Sequence, residues 1–355
     1  MSIGESFWAG KRVLITGHTG FKGAWLALWL NHLGADVTGF ANGVPTTPSL
    51  FELSGLPDLV PTVWGDVRDP EAVLRALRDA SPEVVIHMAA QPLVRRSFSE
   101  PRETYETNVM GTVNLLDAVR RDGASRVVIN VTSDKCYENL EFGRPFREDD
   151  PKGGHDPYSN SKGCSELVAD AYWRSFFRDH PDGPRLASGR AGNVIGGGDW
   201  GEDRLIPDVV RASLTGETVR IRNPNAVRPW QHVLNPLSGY LLLAKHLWEE
   251  PNDSLGWNFG PAESDALQVD DVLGRLDLAW SGGLSWEVDE GDHPHEAQTL
   301  VLDSAKARED LGWSPGWDLA QGIQATAEWY AGWRAGEDVR ELSVSQLRAF
   351  TAPAA

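Results

Sequence analysis

Residues 12–30 read RVLITGHTGFKGAWLALWL, and this stretch decides the fold. RVLIT, 12–16, is a short strand-forming run. Gly17, Gly20 and Gly23 then punctuate a turn that opens directly into an apolar helix ending at Gly34. A Gly-x-x-Gly-x-x-Gly placed after a strand and before a helix lets backbone N–H groups approach a pyrophosphate at the positive end of the helix. Gly17, Thr19, Gly20, Phe21 and Gly23 are therefore candidate contacts to a dinucleotide cofactor.

The rest of the first half repeats the same alternation. ADVTGFA (35–41), TVWGDV (62–67), EVVIHMAA (83–90) and RVVINVTS (126–133) read as strands. PEAVLRALRD (70–79) reads as a helix. So does 104–121, where Tyr105, Val109, Thr112, Leu116 and Val119 share one face, and so does 158–177. Strands alternating with helices of this length imply an α/β fold, a Rossmann-type doubly wound parallel sheet covered on both faces. PDGPR (181–185) marks a change to a less regular half that begins with LASGRAGNVIG (186–196). Residues 1–185 are expected to form the NAD-binding domain, rejoined by part of 229–258. Residues 186–345 are expected to form a smaller C-terminal substrate-binding domain.

Composition narrows the function. A formal charge of −18 opposes nucleic acid or an anionic membrane as partner, since both select basic faces. No apolar run reaches the ~18 residues of a membrane span, and the start, MSIGESFWAGKR, lacks the pattern of a signal peptide. Two cysteines, Cys136 and Cys164, cannot form a disulfide framework and show no metal-ligand spacing, so reduced cytoplasm is expected.

Three further stretches carry chemistry. YSNSK, 158–162, places Tyr158 and Lys162 one helical turn apart, where the ammonium would favour the phenolate and make Tyr158 a base near neutral pH. VTSDKCY, 131–137, ends a strand in Ser133, Asp134 and Lys135. GDV, 65–67, offers Asp66 and Val67 to an adenine, although a solvated loop acid would look the same. Where the dinucleotide fingerprint expects an acid at the end of the second strand, this chain has Asn42, with no arginine nearby for a 2′-phosphate. That leaves NAD mildly favoured over NADP.

With these stretches in place the chain resembles, over nearly its whole length, the extended short-chain dehydrogenase/reductase superfamily. Within it, the chain is similar to the nucleotide-sugar 4,6-dehydratases. TGHTGFKG (16–23), HMAAQPLVR (87–95), VTSDKCY, DPYSNSKG (156–163), RAGNVIGGGDW (190–200), RPWQHV (228–233) and HPHEA (293–297) look like the CDP-glucose branch rather than its TDP-sugar relatives. The resemblance implies bound NAD, a nucleotide-sugar substrate (CDP-glucose) and a redox-neutral reaction: oxidation at C4, loss of water across C5–C6, and return of the hydride to C6. It implies Tyr158 as base at O4, Lys162 tuning it and holding the nicotinamide ribose, Ser133 hydrogen-bonding O4, and Asp134 as acid for the departing water. Ala89 and Ala90 join the cofactor contacts. Lys135 stands where TDP-sugar relatives carry a glutamate that takes the C5 proton. A lysine does so only when neutral, and the other reading is that it anchors Asp134 or a phosphate.

Gln91, Asn193, Arg204, Arg222, Arg228, His293 and His295 are the implied substrate contacts, the arginines because a guanidinium grips a diphosphate in two places. HPHEA lacks a third histidine, so no metal is expected. Asn235 and Pro236, where relatives often have an aspartate, are expected to matter only structurally. The helices at 104–121 and 158–177 resemble those that pair between subunits, which implies a homodimer and leaves a tetramer open. A 4-epimerase or reductase of the same fold, or a non-catalytic NAD-binding scaffold, are the alternatives. An epimerase would leave Asp134 and Lys135 idle, and a scaffold would not need Tyr158 and Lys162.

Overall fold

A computed structural model describes residues 4–139, 143–251, 254–280, 283–289, 291 and 300–352. Seven strands form one sheet: β1 (Arg12–Thr16), β2 (Asp36–Ala41), β3 (Thr62–Trp64), β4 (Val84–His87), β5 (Val127–Val131), β6 (Arg185–Arg190) and β7 (Gly256–Asn258). Their spatial order is 7-6-5-4-1-2-3 and every pairing is parallel. The order reverses between β1 and β4, and a crevice outside the carboxyl ends of these strands is where such sheets hold ligands.

Alternation along each strand splits the core into two layers. Val13, Ile15, Val84, Ile86, Val127 and Ile129 point to one face, against α1 (Phe21–His32) and a helix from the second half, α5 (Leu234–Glu249). Leu14, Val85, Val128 and Leu186 point to the other, against α2 (Pro70–Ala80), α3 (Gly111–Asp122) and α4 (Pro157–Tyr172). Helix α1 is apolar all round because sheet and C-terminal helices enclose it; Trp25 and Trp29 are fully buried. Local signals set the starts of α2 and α4. Asp69 accepts from the N–H groups of Glu71 and Ala72, Asp156 from that of Ser159, and a proline follows each cap.

Two sequence expectations need correction. The helix over 104–121 is not continuous: Pro101–Tyr105 passes through a π turn, Glu106–Met110, before α3 begins. The wider turn changes the helical phase, so Tyr105 leaves the face it was assigned and is 37% exposed, while Asn108 turns inward. The strand over 186–196 is two pieces, β6 and then Val194–Ile195, which pairs with Gln231–His232. β6 begins at Arg185, and the sheet is completed by β7 and covered by α5, both from within residues 229–258.

Candidate active site

The sheet stays apolar until its carboxyl edge, where one register row turns polar. Thr16, His87, Asn130 and Ser188 lie side by side on β1, β4, β5 and β6, all nearly fully buried. Thr16 Oγ1 lies 2.7 Å from His87 Nδ1 and accepts from the N–H groups of Met88 and Ala89, each at 3.1 Å. Burial, with Lys162 as a second cause, pushes His87 down to about 3, so its ring is neutral at physiological pH. The Asn130 amide reaches Ser165 on α4 at 3.2 Å, and Ser165 meets Thr112 of α3 at 2.9 Å. Asn108, on the π turn, donates to Ser161 at 2.9 Å. These bonds seat α4 over the sheet and fix the helix that carries Tyr158 and Lys162.

The glycine turn divides by function. Gly17 has φ of 75°, and a Cβ there would stand 2.7 Å from the Ala89 nitrogen. A Cβ at Gly23 would stand 2.2 Å from the Gly17 carbonyl. The fold itself demands both. Gly20 is different: a Cβ would meet only Gly17 O at 3.5 Å, and α1 starts there without a side-chain cap. Uncapped N–H groups beside an open glycine face fit a pyrophosphate.

Phe21 is half-buried and leads α1. Thr19 spends its hydroxyl on the Gly43 carbonyl at 2.7 Å, bracing the loop after β2. Asp66 accepts from Asn42 at 3.1 Å and from Arg68 at 3.0 and 2.6 Å. Hydrogen bonds from Arg68 hold the Asp66 carboxyl down at about 2, leaving an ionised acceptor at the edge where an adenosine would lie. Asn42, in place of the missing acid, thus orients Asp66. Val67 is buried, its carbonyl taken by Asn114 at 2.9 Å, and Ala89 and Ala90 are half-buried beside the turn.

Beyond β5 the chain makes a single 3₁₀ turn, Asp134–Cys136. Ser133 Oγ donates to Asp134 Oδ1 at 2.8 Å and accepts from Lys135 N at 3.2 Å. Asp134 is 1% exposed, and its Oδ2 has no hydrogen-bond partner among the described residues. Gly192 makes room for that oxygen, since a Cβ there would meet it at 2.8 Å. A buried carboxyl oxygen with no partner is costly unless a ligand group meets it. Lys135 Nζ stands 3.8 Å from Asp134 Oδ1 with its side chain 28% exposed. Tyr158 is buried beside Ser133, whose hydroxyl favours its phenolate. Burial pushes its phenol up to about 12, Asp134 and Asp156 add to that, and Ser133 and Arg204 pull against it. Burial pushes Lys162 down to about 8. Loss of water around the phenol therefore works against the expected role of Tyr158 as a base near neutral pH.

The substrate residues divide. Arg204 is held by Asp199 at 3.0 Å and is close enough to bias Tyr158, which places it at the reacting end. Arg222, just past the short strand Val219–Ile221, pairs with Asp203 at 3.9 Å, and Arg228, on the short strand Val227–Pro229, donates to the Val227 carbonyl at 3.0 Å. Asn193 is half-buried in the loop after β6, its carbonyl accepting from Gln231 N. Gln91 is turned inward. Its amide donates to Leu93 O and Thr104 Oγ1 at 3.0 and 2.9 Å, and its Oε1 accepts from Leu93 N at 2.6 Å, so it braces the loop after β4. His293 and His295 lie outside the described residues. Asn235 clamps the C-terminal segment through Gly316 and Trp317.

Sequence reading missed Lys22 and Tyr240. Lys22 sits between Gly20 and Gly23, and its Nζ donates to the Tyr240 hydroxyl at 3.2 Å on the buried face of α5. Burial, then Lys162 and Arg204, lower it to about 7, while Asp134 opposes. The available signal was a lone lysine among the apolar residues that open α1.

Comparison with known proteins agrees with this geometry. The family profile described as GDP-mannose 4,6 dehydratase matches residues 14–326. A CDP-glucose 4,6-dehydratase from Salmonella typhimurium is 52% identical over 349 residues, covering 97% of each chain. A dTDP-glucose 4,6-dehydratase of Streptomyces antibioticus is 30% identical, covering 91% of this chain and 93% of its own. Among solved structures, a dTDP-glucose 4,6-dehydratase from Streptomyces venezuelae with NAD bound superposes with a TM-score of 0.78 at 27% identity, over 92% of this chain and 99% of that one. A Thermus thermophilus UDP-glucose 4-epimerase with NAD gives the same TM-score and identity over 90% and 99%, so the backbone alone does not separate dehydratase from epimerase. With the family profile, the close relative and the Ser133–Asp134–Tyr158 cluster in agreement, the chain belongs to the nucleotide-sugar 4,6-dehydratase family of the extended short-chain dehydrogenase/reductase fold.

Proposed function

We propose that this chain converts CDP-glucose to CDP-4-dehydro-6-deoxyglucose with NAD as its resident cofactor. The observation that carries the reading is the buried Asp134 carboxyl, hydrogen-bonded to Ser133 beside Tyr158, with one oxygen unpartnered. An epimerase has no water to expel and no use for that acid. The 52% identity to a CDP-glucose enzyme supports the choice of base.

The uncapped start of α1 and Gly20 would hold the pyrophosphate of NAD and Asp66 would face its adenosine, and the bound cofactor would supply the hydride acceptor and donor for C4 and C6. Tyr158 takes the O4 proton, with Ser133 bonded to the same oxygen. The ketone at C4 acidifies the C5 proton, which Lys135 removes in its neutral form, and Asp134 protonates the departing C6 hydroxyl. Arg204 meets the sugar near Tyr158, and Arg222 and Arg228 with Asn193 hold the diphosphate end. The segment 186–345, less β6, α5 and β7, serves as the sugar-nucleotide half.

The protein is read as a homodimer. Met110, Leu167 and Phe176 on the outer side of the helices over 101–122 and 157–177 are 48%, 58% and 45% exposed, apolar surface that the described residues leave uncovered. Reduced cytoplasm is its expected place: Cys136 and Cys164 are unpaired, and among the described residues no helix is long and apolar enough to cross a membrane.

The test uses purified protein without added NAD and CDP-, TDP-, UDP- and GDP-glucose, each deuterated at C4, followed by mass spectrometry. Loss of one water from CDP-glucose with the label moved to C6 is the expected result. Unchanged mass with inverted C4 would make the protein an epimerase.

A further inference from the structure

Asp134 and Lys135 lie on the turn after β5, whereas Tyr158 and Lys162 lie on α4. The dehydratase reaction needs both sets against one sugar, so the turn must be fixed against the helix.

On the entering side of the turn the backbone stays tied to the sheet. Thr132 N donates to Gly189 O at 3.0 Å and Asp134 N to Ala191 O at 3.1 Å. The Thr132 hydroxyl donates to Glu166 on α4. The chain then makes its 3₁₀ turn, and among the described residues the next hydrogen bonds back to the sheet come at Tyr137. Its hydroxyl donates to Asn258 Oδ1 and accepts from Arg190 Nη1, each at 2.7 Å. Arg190 and Asn258 are register partners on β6 and β7. Arg190 also pairs with Glu166, one turn beyond Lys162. All these side chains are buried, and burial pushes the Tyr137 phenol up, so it remains a donor. Thr132 before the turn and Tyr137 after it thus close on one buried ion pair, half of which belongs to the helix that carries Tyr158.

The ring of Tyr137 is packed independently of this. It stacks on Phe146 with centroids 5.0 Å apart and planes 14° apart, and Lys152 Nζ stands 4.4 Å from its centre. A ring that only filled space would need no hydroxyl.

We propose that Tyr137 is a positioning residue for the loss of water: its hydroxyl, held between Arg190 and Asn258, sets where Asp134 and Lys135 stand relative to Tyr158 and Lys162. This rests on the dehydratase reading. Oxidation at C4 uses groups on α4 together with Ser133, whose place is kept by the backbone bonds of the entering side. Elimination uses Asp134 and Lys135, and Lys135 follows the last of those bonds. Releasing the far side of the turn therefore separates the two steps. Oxidation proceeds, while the C5 proton and the C6 hydroxyl leave slowly because their partners are misplaced.

The test mixes NAD-loaded full chain rapidly with CDP-glucose and follows the near-ultraviolet absorbance of reduced nicotinamide. Tyr137→Phe is expected to build up reduced cofactor that wild type does not, with kcat down about 100-fold and KM little changed. Phe146→Leu loosens the same ring but keeps the hydroxyl, and is expected to lower the thermal midpoint without that build-up. An unchanged rate in Tyr137→Phe, a fall without build-up, or equal build-up in Phe146→Leu would overturn the assignment. Asn258 supplies a second pair should Tyr137→Phe not fold. Asn258→Asp and Asn258→Leu both lose the amide bonds to Phe146 O and Asp303 O, but only Asn258→Asp keeps an acceptor for Tyr137. Build-up is expected in Asn258→Leu and not in Asn258→Asp, and equal behaviour would overturn the proposal. Hydrogen exchange reads the turn without catalysis. The Cys136 and Glu138 amides, bonded to Ser133 O and Pro151 O, are expected to exchange at least tenfold faster in Tyr137→Phe while those of α4 do not change. Unchanged exchange at both would count against the proposal in the same way. If none of the four sugar nucleotides reacts with wild type, the dehydratase reading fails, while exchange still reports whether the hydroxyl holds the turn.

Discussion

Arg190, at the end of β6, grips Glu166 on α4 through two hydrogen bonds, Nε to Oε1 at 2.9 Å and Nη2 to Oε2 at 2.7 Å. Their side chains are 3% and 2% exposed. Thr132 also donates to Glu166, and the Tyr137 hydroxyl accepts from Arg190 at 2.7 Å. Glu166 follows Lys162 by one helical turn, so this pair anchors the catalytic helix from beneath. Removing one partner leaves a buried charge alone. Glu166→Gln is expected to cost about 3–5 kcal/mol of stability, read from the urea midpoint; an unchanged midpoint would show that the pair does not bear load. Burial alone would raise Glu166, but Arg190 overcomes it and holds the carboxyl below its ordinary value. Its contribution is thus present above the ordinary glutamate range and lost as pH falls below it. Wild type should lose more stability on acidification than Glu166→Gln does.

Tyr158→Phe removes the base while keeping the ring that packs on the sheet. Turnover is expected to fall by about 10²–10⁴-fold, with bound NAD and the thermal midpoint near wild type. A variant that instead loses its NAD would show the phenol to be a cofactor clamp first.

Lys162 predicts activity and stability moving in opposite directions. Burial lowers it to about 8 from 10.5, so above pH 8 the folded protein loses the ammonium while the unfolded chain keeps it. The unfolded state then binds more protons, and stability should rise with pH between about 8 and 10. Lys306, lowered to about 8, adds to the same trend. The catalytic rate should fall over that interval as the cation beside Tyr158 disappears. Paired pH series of kcat and thermal midpoint check this; a rate that stays flat to pH 10 would remove Lys162 from the list of required charges.

Gly20 and Gly23 should fail differently. An alanine at 23 drives its Cβ into the Gly17 carbonyl, so Gly23→Ala is expected to lower the thermal midpoint and empty the protein of NAD together. Gly20→Ala meets nothing closer than 3.5 Å and should fold normally but bind NAD at least tenfold more weakly. Calorimetry and quantitation of bound nucleotide separate the two.

Leu167→Glu places a charge on the apolar outer face of α4, where Leu167 is 58% exposed. Sedimentation is expected to show a dimer in wild type and a monomer in the variant. A monomeric wild type would assign that face to another partner.

The pattern of residues along the chain was enough for the sheet, because strand and helix periods are local and the glycine turn admits few alternatives. Val13, Leu14 and Ile15 announce a two-faced strand without any knowledge of what covers it, and Asp69–Pro70 and Asp156–Pro157 announce helix starts. The identities of Ser133, Asp134, Tyr158 and Lys162 were equally plain, since spacing and motif name them. Tertiary structure decided what those groups are worth. Burial of Tyr158 holds its proton on the phenol, and the Ser133 hydroxyl is turned onto the buried Asp134 carboxyl. The polar row Thr16–His87–Asn130–Ser188 exists only once four strands pair in register. Lys22 becomes part of the site only when α5 brings Tyr240 beneath it, and the Gln91 amide is turned inward by Leu93 and Thr104. Hydrogen-bond direction and desolvation depend on atoms far apart in the chain, and a linear pattern does not encode them.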